Sequence, residues 1–320
     1  MRVLVVGAGA IGGYFGGRLL QAQRDVTFLV RPRRAAELAK EGLIIKSPRG
    51  NVTLRTPATI LAENLREPFD LVLLSCKAYD LTAAMDSFAA AVGRDTLVLP
   101  LLNGMKHLEI LDQRFGKSHI LGGLCIIAAT LDAQHAVVHL NDMHRLAFGE
   151  RDGANSQPMR AVVEFLGKAG FDAHLSGDIV QEMWEKWVLL ATLAGVTCLM
   201  RAAIGDIMAS PGGGDLILEL LEECRGIAAA AGHAPSVAFL DQARAALTAR
   251  GSPLTASMLR DVESNAPVEA DHIVGDLLRR RQSARADHKD LSLLATVYTH
   301  LKAYENRRDR TRASALNAGG

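Results

Sequence analysis

The stretch that decides the fold is "MRVLVVGAGAIGG", residues 1–13. Val3 to Val6 form a short β-prone run that stops at Gly7, Gly9 and Gly12, after which Tyr14 to Gln23 carries helical spacing. A sharp turn, the close approach of a pyrophosphate and tight packing of helix on strand each call for a residue without Cβ. The N–H groups of such a turn, with the start of the helix, hold phosphates. Gly7, Gly9, Ala10, Ile11 and Gly12 are therefore read as a dinucleotide-binding loop rather than a merely structural glycine turn. A second strand, "DVTFLV" (residues 25–30), supports that choice. One arginine followed by apolar residues also resembles a signal peptide, but the run leads into glycines and not into a cleavage site.

Outward from the loop, the residue after the second strand should reach the adenine ribose, where Asp or Glu would accept from a 2′-hydroxyl. The chain reads "RPRR", Arg31 to Arg34. A carboxylate repels a 2′-phosphate, whereas the arginine fork matches it, so Arg31 predicts NADPH over NADH. The competing reading is a solvated basic start to the helix "RRAAELAKEG". "FDLVLLSCK" (69–77) and "TLVLPLLNG" (96–104) are continuous apolar runs of the buried parallel-strand kind, with helical spacing over Leu81 to Ala91 between them. They end in Lys77 and Asn103, at the carboxyl ends of strands, where open α/β sheets bind ligands. Either residue also has a plain explanation, a solvated strand end or the turn pair "NG".

The chain has 320 residues, 49% hydrophobic and 22% charged, with Lys+Arg 36 against Asp+Glu 35 and a formal net charge of +1. This length predicts two domains, and the balanced charge supplies no field for nucleic acid. Cys76, Cys125, Cys198 and Cys224 lie in apolar stretches without a CxxC pair, which reads as reduced core thiols. No run reaches the uninterrupted apolar length of a membrane span, and a cytoplasmic location is expected.

From Ile120 to Glu150 short alternating strands predict an antiparallel extension closing the first domain. Its histidines (His135, His139, His144) share no helix face, so no metal site is expected. After about Ser176 the chain is helical, over Ile179 to Leu199, Gly214 to Ala231, Ser236 to Leu247 and Val268 to Arg281, punctuated by "PGGG" and "GSPL". The expected fold is α/β: a Rossmann-type dinucleotide-binding domain over 1–176, then an all-helical substrate domain over 177–320, with a cleft between them. The polar "RRDRTRASALNAGG" that ends the sequence reads as a frayed tail. Oligomeric state is open, since apolar helix stripes fit a homodimer interface and intradomain packing equally.

One lysine, Lys186, sits in "EMWEKWVLLATLAGVTCLM" (182–200) between Trp184 and Trp187, the two tryptophans of the chain. Burying an unpaired ammonium there costs several kcal/mol on the usual scale, and desolvation would lower its pKa. Snorkelling of the stem along apolar surface is the alternative.

In their order and spacing, "GAGAIG", "CKAYD", "NGM", "MWEKW" and "SMLRDVESNAPVEADHI" together resemble the ketopantoate reductase (2-dehydropantoate 2-reductase) family over nearly the whole chain. The resemblance implies that Lys186 is the general acid that protonates a ketone oxygen as NADPH delivers hydride to the carbonyl carbon. It implies that Glu269 positions substrate and lysine, that Ser257 contacts the substrate carboxylate, and that Lys77 and Asn103 lie at the nicotinamide and substrate end. An alkoxide forming in a desolvated site does need a proton or a strong hydrogen bond. Pro267 predicts a helix with Glu269 in its first turn, which helix-dipole chemistry also favours in any protein.

Typical members carry asparagines four and eight residues after the lysine, where this chain has Leu190 and Ala194. Neither can donate those hydrogen bonds, and losing a polar contact changes substrate discrimination strongly. Thr197, about 20° round the helix from Lys186, could supply one donor, and Arg201 either a carboxylate clamp or a surface charge. The expected function is reduction of a 2-keto acid with NADPH, ketopantoate to pantoate (pantothenate biosynthesis) first. The alternatives are a more apolar keto or hydroxy acid, the oxidative direction, and a non-catalytic NADPH-binding sensor.

Overall fold

β1 (Val3–Val6) is wholly apolar and buried, as a strand covered on both faces must be. A computed structural model of the chain describes residues 1–284 and 292–318. Two compact units emerge, Met1–Val180 and Gln181–Gly320.

In the first unit β1 is followed by α1 (Ala10–Gln21), β2 (Val26–Leu29), α2 (Pro32–Glu41), β3 (Leu43–Lys46), β4 (Val52–Leu54) and β5 (Thr59–Ile60). Then come β6 (Leu71–Leu74), α3 (Leu81–Phe88), β7 (Leu97–Pro100), α4 (Lys106–Phe115), β8 (Gly122–Leu131), β9 (Val137–Gly149), α5 (Gln157–Leu166) and β10 (Asp172–Leu175). One sheet is parallel, in the order β5-β2-β1-β6-β7, with Val6 level with Leu29 on one side and Leu74 on the other. The chain winds outward from β1 to β2 and then resumes on the opposite side at β6. This reversal is the switch point at which such sheets bind ligands.

The second sheet runs β10-β9-β3-β4, with β8 paired antiparallel to β9. The expected antiparallel extension holds for this pair, but its strands are long rather than short, and β9 also pairs in parallel with β10 and β3, which with β4 the local pattern did not reveal. Helix α1 is packed between the sheets. A Cβ on Gly16 would lie 2.7 Å from Phe28 of the parallel sheet, and one on Gly17 would lie 2.6 Å from Ile45 of the other. The "GGYFGG" of α1 is the close-approach seam that lets one helix serve two sheets. Tyr14 and Phe15 between those glycines are fully buried.

The second unit is helical: α6 (Ile179–Met200, whose first two residues belong to the first unit), α7 (Ile204–Ala209), α8 (Gly213–Ala230), α9 (Val237–Leu247), α10 (Ser257–Glu263), α11 (Asp276–Ala284) and α12 (Leu293–Ala318). α6 is long and apolar enough to pass for a membrane span, yet 67% of its apolar window is buried in the fold. It is a core helix, and Gly195 lets Leu220 of α8 and Val297 of α12 approach it closely. Burial pushes the thiols of Cys198 and Cys224 up to about 12, so both stay protonated.

The expected frayed tail is corrected as far as Ala318, since α12 extends through it; Gly319 and Gly320 lie outside the described residues. The helix is held by distant partners: Tyr304 donates to the Ala266 carbonyl at 2.8 Å and Arg308 Nε to that of Asn265 at 3.0 Å.

Candidate active site

The three glycines of the loop have three different physical causes. Gly7 ends β1 with φ +94°, a left-handed conformation that other residues adopt only under strain. Gly12 is imposed by packing: a Cβ there would lie 2.2 Å from both the Gly7 carbonyl oxygen and the Ser75 hydroxyl. Gly9 is imposed by neither, for its φ is −83° and nothing lies within 4 Å of a Cβ built on it. The space at Gly9 is open, which fits a position reserved for a group from outside the chain.

Gly9 also caps α1, whose first turn carries no acidic side chain. The N–H groups of Ala10, Ile11 and Gly12 thus begin the helix next to the open space, where an anion is stabilised. Ser75, just past the end of β6, donates to the Val6 carbonyl at 2.9 Å and so pins the turn from the neighbouring strand. Sequence reading missed Ser75, because a serine at a strand end carries no local signal.

Arg31 is the residue that starts α2, extended at φ −72° and ψ 155°. Its side chain is 78% exposed and pairs with Asp80 at 3.1 Å. Lys77 and Asn103 each stand three residues beyond their strands, after Leu74 and Pro100, which are adjacent in register. Both are half-buried, and Gly104 turns the chain after Asn103 at φ +77°. The glycine loop, Lys77 and Asn103 therefore share the carboxyl edge of three neighbouring strands, β1, β6 and β7.

In the second unit Lys186 is half-buried, which corrects the expected burial between the tryptophans. Trp184 and Trp187 are 3% and 1% exposed and turn into the core, where Arg280 lies over their rings at 5.5 and 5.6 Å. Lys186 belongs instead to a partly exposed stripe with Glu182, Glu185, Leu189 and Leu190, at the three- and four-residue spacing of one helix face.

Glu269 is 8% exposed and precedes the helix rather than standing in its first turn. Its carbonyl accepts from the N–H of His272 and Ile273 at 3.2 and 3.0 Å, and the chain then passes through a π-helical turn, Asp271–Gly275, before α11. Such widened turns recur at functional sites. Trp187 Nε1 donates to the Ile273 carbonyl at 2.8 Å. That bond fixes the Lys186 turn of α6 against the segment that starts at Glu269.

Ser257 is exposed at the first position of α10. Thr197 is a correction: it is 0% exposed and its hydroxyl donates to the Leu193 carbonyl at 2.7 Å, so it offers no donor to a ligand. Arg201 is exposed just past α6 at φ +54°.

Comparison with known proteins bears on both units. The family model "Ketopantoate reductase PanE/ApbA" matches residues 3–153, and "Ketopantoate reductase PanE/ApbA C terminal" matches 178–305. The uncharacterized oxidoreductase YkpB of Bacillus subtilis (strain 168) is 36% identical over 309 residues, 95% of this chain and 99% of that one. A 2-dehydropantoate 2-reductase of Streptococcus pyogenes is 26% identical over 223 residues, 70% of this chain and 72% of that one. The crystal structure of the 2-dehydropantoate 2-reductase from Geobacter metallireducens GS-15 superposes with a TM-score of 0.84 at 26% identity, covering 95% and 99% of the two chains. With the glycine loop at the switch point of the first unit and matches across both, the chain belongs to the ketopantoate reductase family, nicotinamide-dinucleotide oxidoreductases acting on a CH–OH/C=O group.

Proposed function

We propose that the protein reduces a 2-keto acid to the 2-hydroxy acid with NADPH, with Lys186 as proton donor and Glu269 as the residue that positions lysine and substrate. The observation that carries this is the Trp187–Ile273–Glu269 chain of hydrogen bonds, which ties the Lys186 turn to the Glu269 segment. Bound NADPH supplies hydride to the carbonyl carbon, leaving negative charge on oxygen. The Lys186 ammonium donates a proton to that oxygen and is reprotonated from water. Lys77 and Asn103, at the strand ends beside the glycine loop, orient the reacting groups. Ser257, exposed at a helix start, binds the substrate carboxylate.

The preference for the 2′-phosphate rests on Arg31. Its pair with Asp80 is exposed, and such pairs contribute about 0–1 kcal/mol, so a phosphate dianion competes with it. A cytoplasmic reaction is part of this reading, and cysteines without disulfides are compatible with it.

Ketopantoate is the first substrate to test. A bulkier apolar 2-keto acid is the second, favoured by Leu190 on the Lys186 stripe. Oxidation of dihydronicotinamide, followed by absorbance with ketopantoate, pyruvate and a bulky apolar 2-keto acid, separates the two. Lys186→Ala should abolish turnover while leaving the Kd for NADPH within about twofold, since it removes a group needed only for chemistry. Collapse of cofactor affinity in that variant would make Lys186 structural. Tight binding of NADPH by the native chain with no turnover on any keto acid would make the protein a sensor.

A further inference from the structure

The arginines of the run Arg31–Arg34 hold different positions, and the best placed of them does not face solvent. Arg34 is 18% exposed, and its guanidinium donates to three segments of the first unit. Nε and Nη2 reach the Ala8 carbonyl at 3.3 and 3.1 Å, Nη2 also reaches the His135 carbonyl at 3.1 Å, and Nη1 reaches Glu37 at 3.1 Å. The Glu37 carboxylate in turn meets His135 Nδ1 at 2.9 Å. Glycine loop, α2 and the turn between β8 and β9 thus meet at one cation.

That turn is itself built. Asp132 accepts from the N–H of Gln134 and Ala136 at 3.0 and 2.9 Å and pairs with Lys46 at 2.6 Å, while His135 adopts φ +58°. The anchor for Arg34 is therefore fixed on the side away from the loop.

In a trans peptide the C=O and N–H point in opposite directions. Forking the Ala8 carbonyl toward Arg34 therefore aims the Gly9 N–H away from Arg34, and Gly9 is the loop residue that borders open space. We infer that Arg34 is the positioning residue of the phosphate cradle: acting through the Ala8 carbonyl, it sets the peptide plane that presents the Gly9 N–H, and it is indifferent to the 2′-phosphate. Reading of that phosphate is left to Arg31, as proposed above. The inference rests on the dinucleotide reading proposed above.

The test is calorimetric titration of the full chain with NADPH, NADH and 2′-AMP, the last carrying the 2′-phosphate without a pyrophosphate. Arg34→Ala should weaken NADPH and NADH by the same factor, about tenfold for the loss of charged hydrogen bonds, and leave 2′-AMP within about twofold. Arg34→Lys keeps the charge but not the fork, and should recover only part of the loss. Arg31→Ala should do the reverse, weakening NADPH and 2′-AMP and sparing NADH.

Should Arg34→Ala fail to fold, Glu37→Gln removes the charge from one anchor of the guanidinium and should weaken both dinucleotides equally by a smaller factor. A selective loss of NADPH or of 2′-AMP in either variant would make Arg34 a phosphate reader and overturn the inference. Unchanged dinucleotide affinities would overturn it too. If the native chain bound neither dinucleotide, the proposed function itself would fall, a result separable from the others because it precedes any substitution.

Discussion

Gly9→Ala and Gly12→Ala should have opposite effects, although they differ by one methyl on the same loop. At Gly9 the backbone is extended, φ −83° and ψ −162°, which alanine adopts freely, and the new Cβ meets nothing within 4 Å. The cost to folding is the replacement of a glycine cap by alanine, about 0.5–1 kcal/mol, or a fall in Tm of roughly 1–4 °C for a unit of this size. At Gly12 the Cβ would lie 2.2 Å from the Gly7 carbonyl oxygen and 2.2 Å from Ser75 Oγ, so something must move by more than an ångström. The Ser75 hydroxyl can rotate only by giving up its 2.9 Å bond to Val6, and the Gly7 carbonyl is fixed in a left-handed turn. Overpacking plus one lost hydrogen bond comes to about 3 kcal/mol, or roughly 6–12 °C in Tm. Binding should separate the pair the other way. The Gly9→Ala methyl fills the space kept for pyrophosphate, and NADPH affinity should fall at least about tenfold, or about 1.4 kcal/mol, in a protein that melts almost as the native one does. Thermal melts of the ligand-free variants and calorimetric titration with NADPH measure both quantities. Native affinity in Gly9→Ala would refute the reasoning, because the open space would then not be the cradle. So would a melting temperature as low as that of Gly12→Ala.

Thr197→Val should leave kcat/KM within about twofold and cost about 1 kcal/mol of stability for its hydrogen bond to Leu193; a tenfold loss of kcat/KM would restore Thr197 as a substrate donor. The second test concerns pH. Burial holds the His144 imidazole below its ordinary value, reinforced by the nearby Arg49, His139 and Arg18, and its Nδ1 is bonded to the Tyr14 hydroxyl at 2.8 Å. Because the folded pKa is the lower one, the unfolded chain binds the proton first. The His144 contribution is therefore complete above about pH 6.5 and is lost as pH falls below it. His144→Gln should flatten the decline of Tm between about pH 7 and 5, and parallel declines in the two proteins would rule the histidine out. Asp132, held low first by Lys46, loses its contribution only in the more acid range, so the two are separable.

The first strand and its glycines were legible because their constraints are local. A positive φ, a strand end and a helix start all fall within a few residues of Gly7, and β1, α6, α8 and α9 stand almost where their local spacing puts them. β3, β4 and β10 were not legible, because they are short, partly exposed strands, and β3 and β10 join the sheet through distant β9, as in the parallel pairings of Ile45 with Val137 and of Asp172 with Arg145. The C-terminal helix was missed for a related reason, its polar sequence being held by contacts from Tyr304 and Arg308 to residues some forty positions earlier. Arg34 was visible as one arginine in a run, but its role depends on Ala8 and His135, which no local pattern joins to it.

The second unit was harder to read because α6 is a core helix and, on the proposed reading, a site as well. Its charged positions are confined to the stripe through Glu182, Glu185 and Lys186, and two to three turns further on Leu193, Ala194 and Thr197 are 7%, 3% and 0% exposed. A polar side chain placed there must satisfy itself within the helix, as Thr197 does through Leu193. An asparagine at position 194 would have to bury its amide in the same packed environment, at a cost that an unpaired polar group makes considerable. The alanine is thus consistent with how this end of the helix is packed, and it need not signal a lost activity. If α6 binds the substrate as proposed, its polar recognition ends at the Lys186 turn. On the proposed reading, specificity then shifts toward the exposed start of α10 at Ser257 and toward the apolar bulk of Leu190.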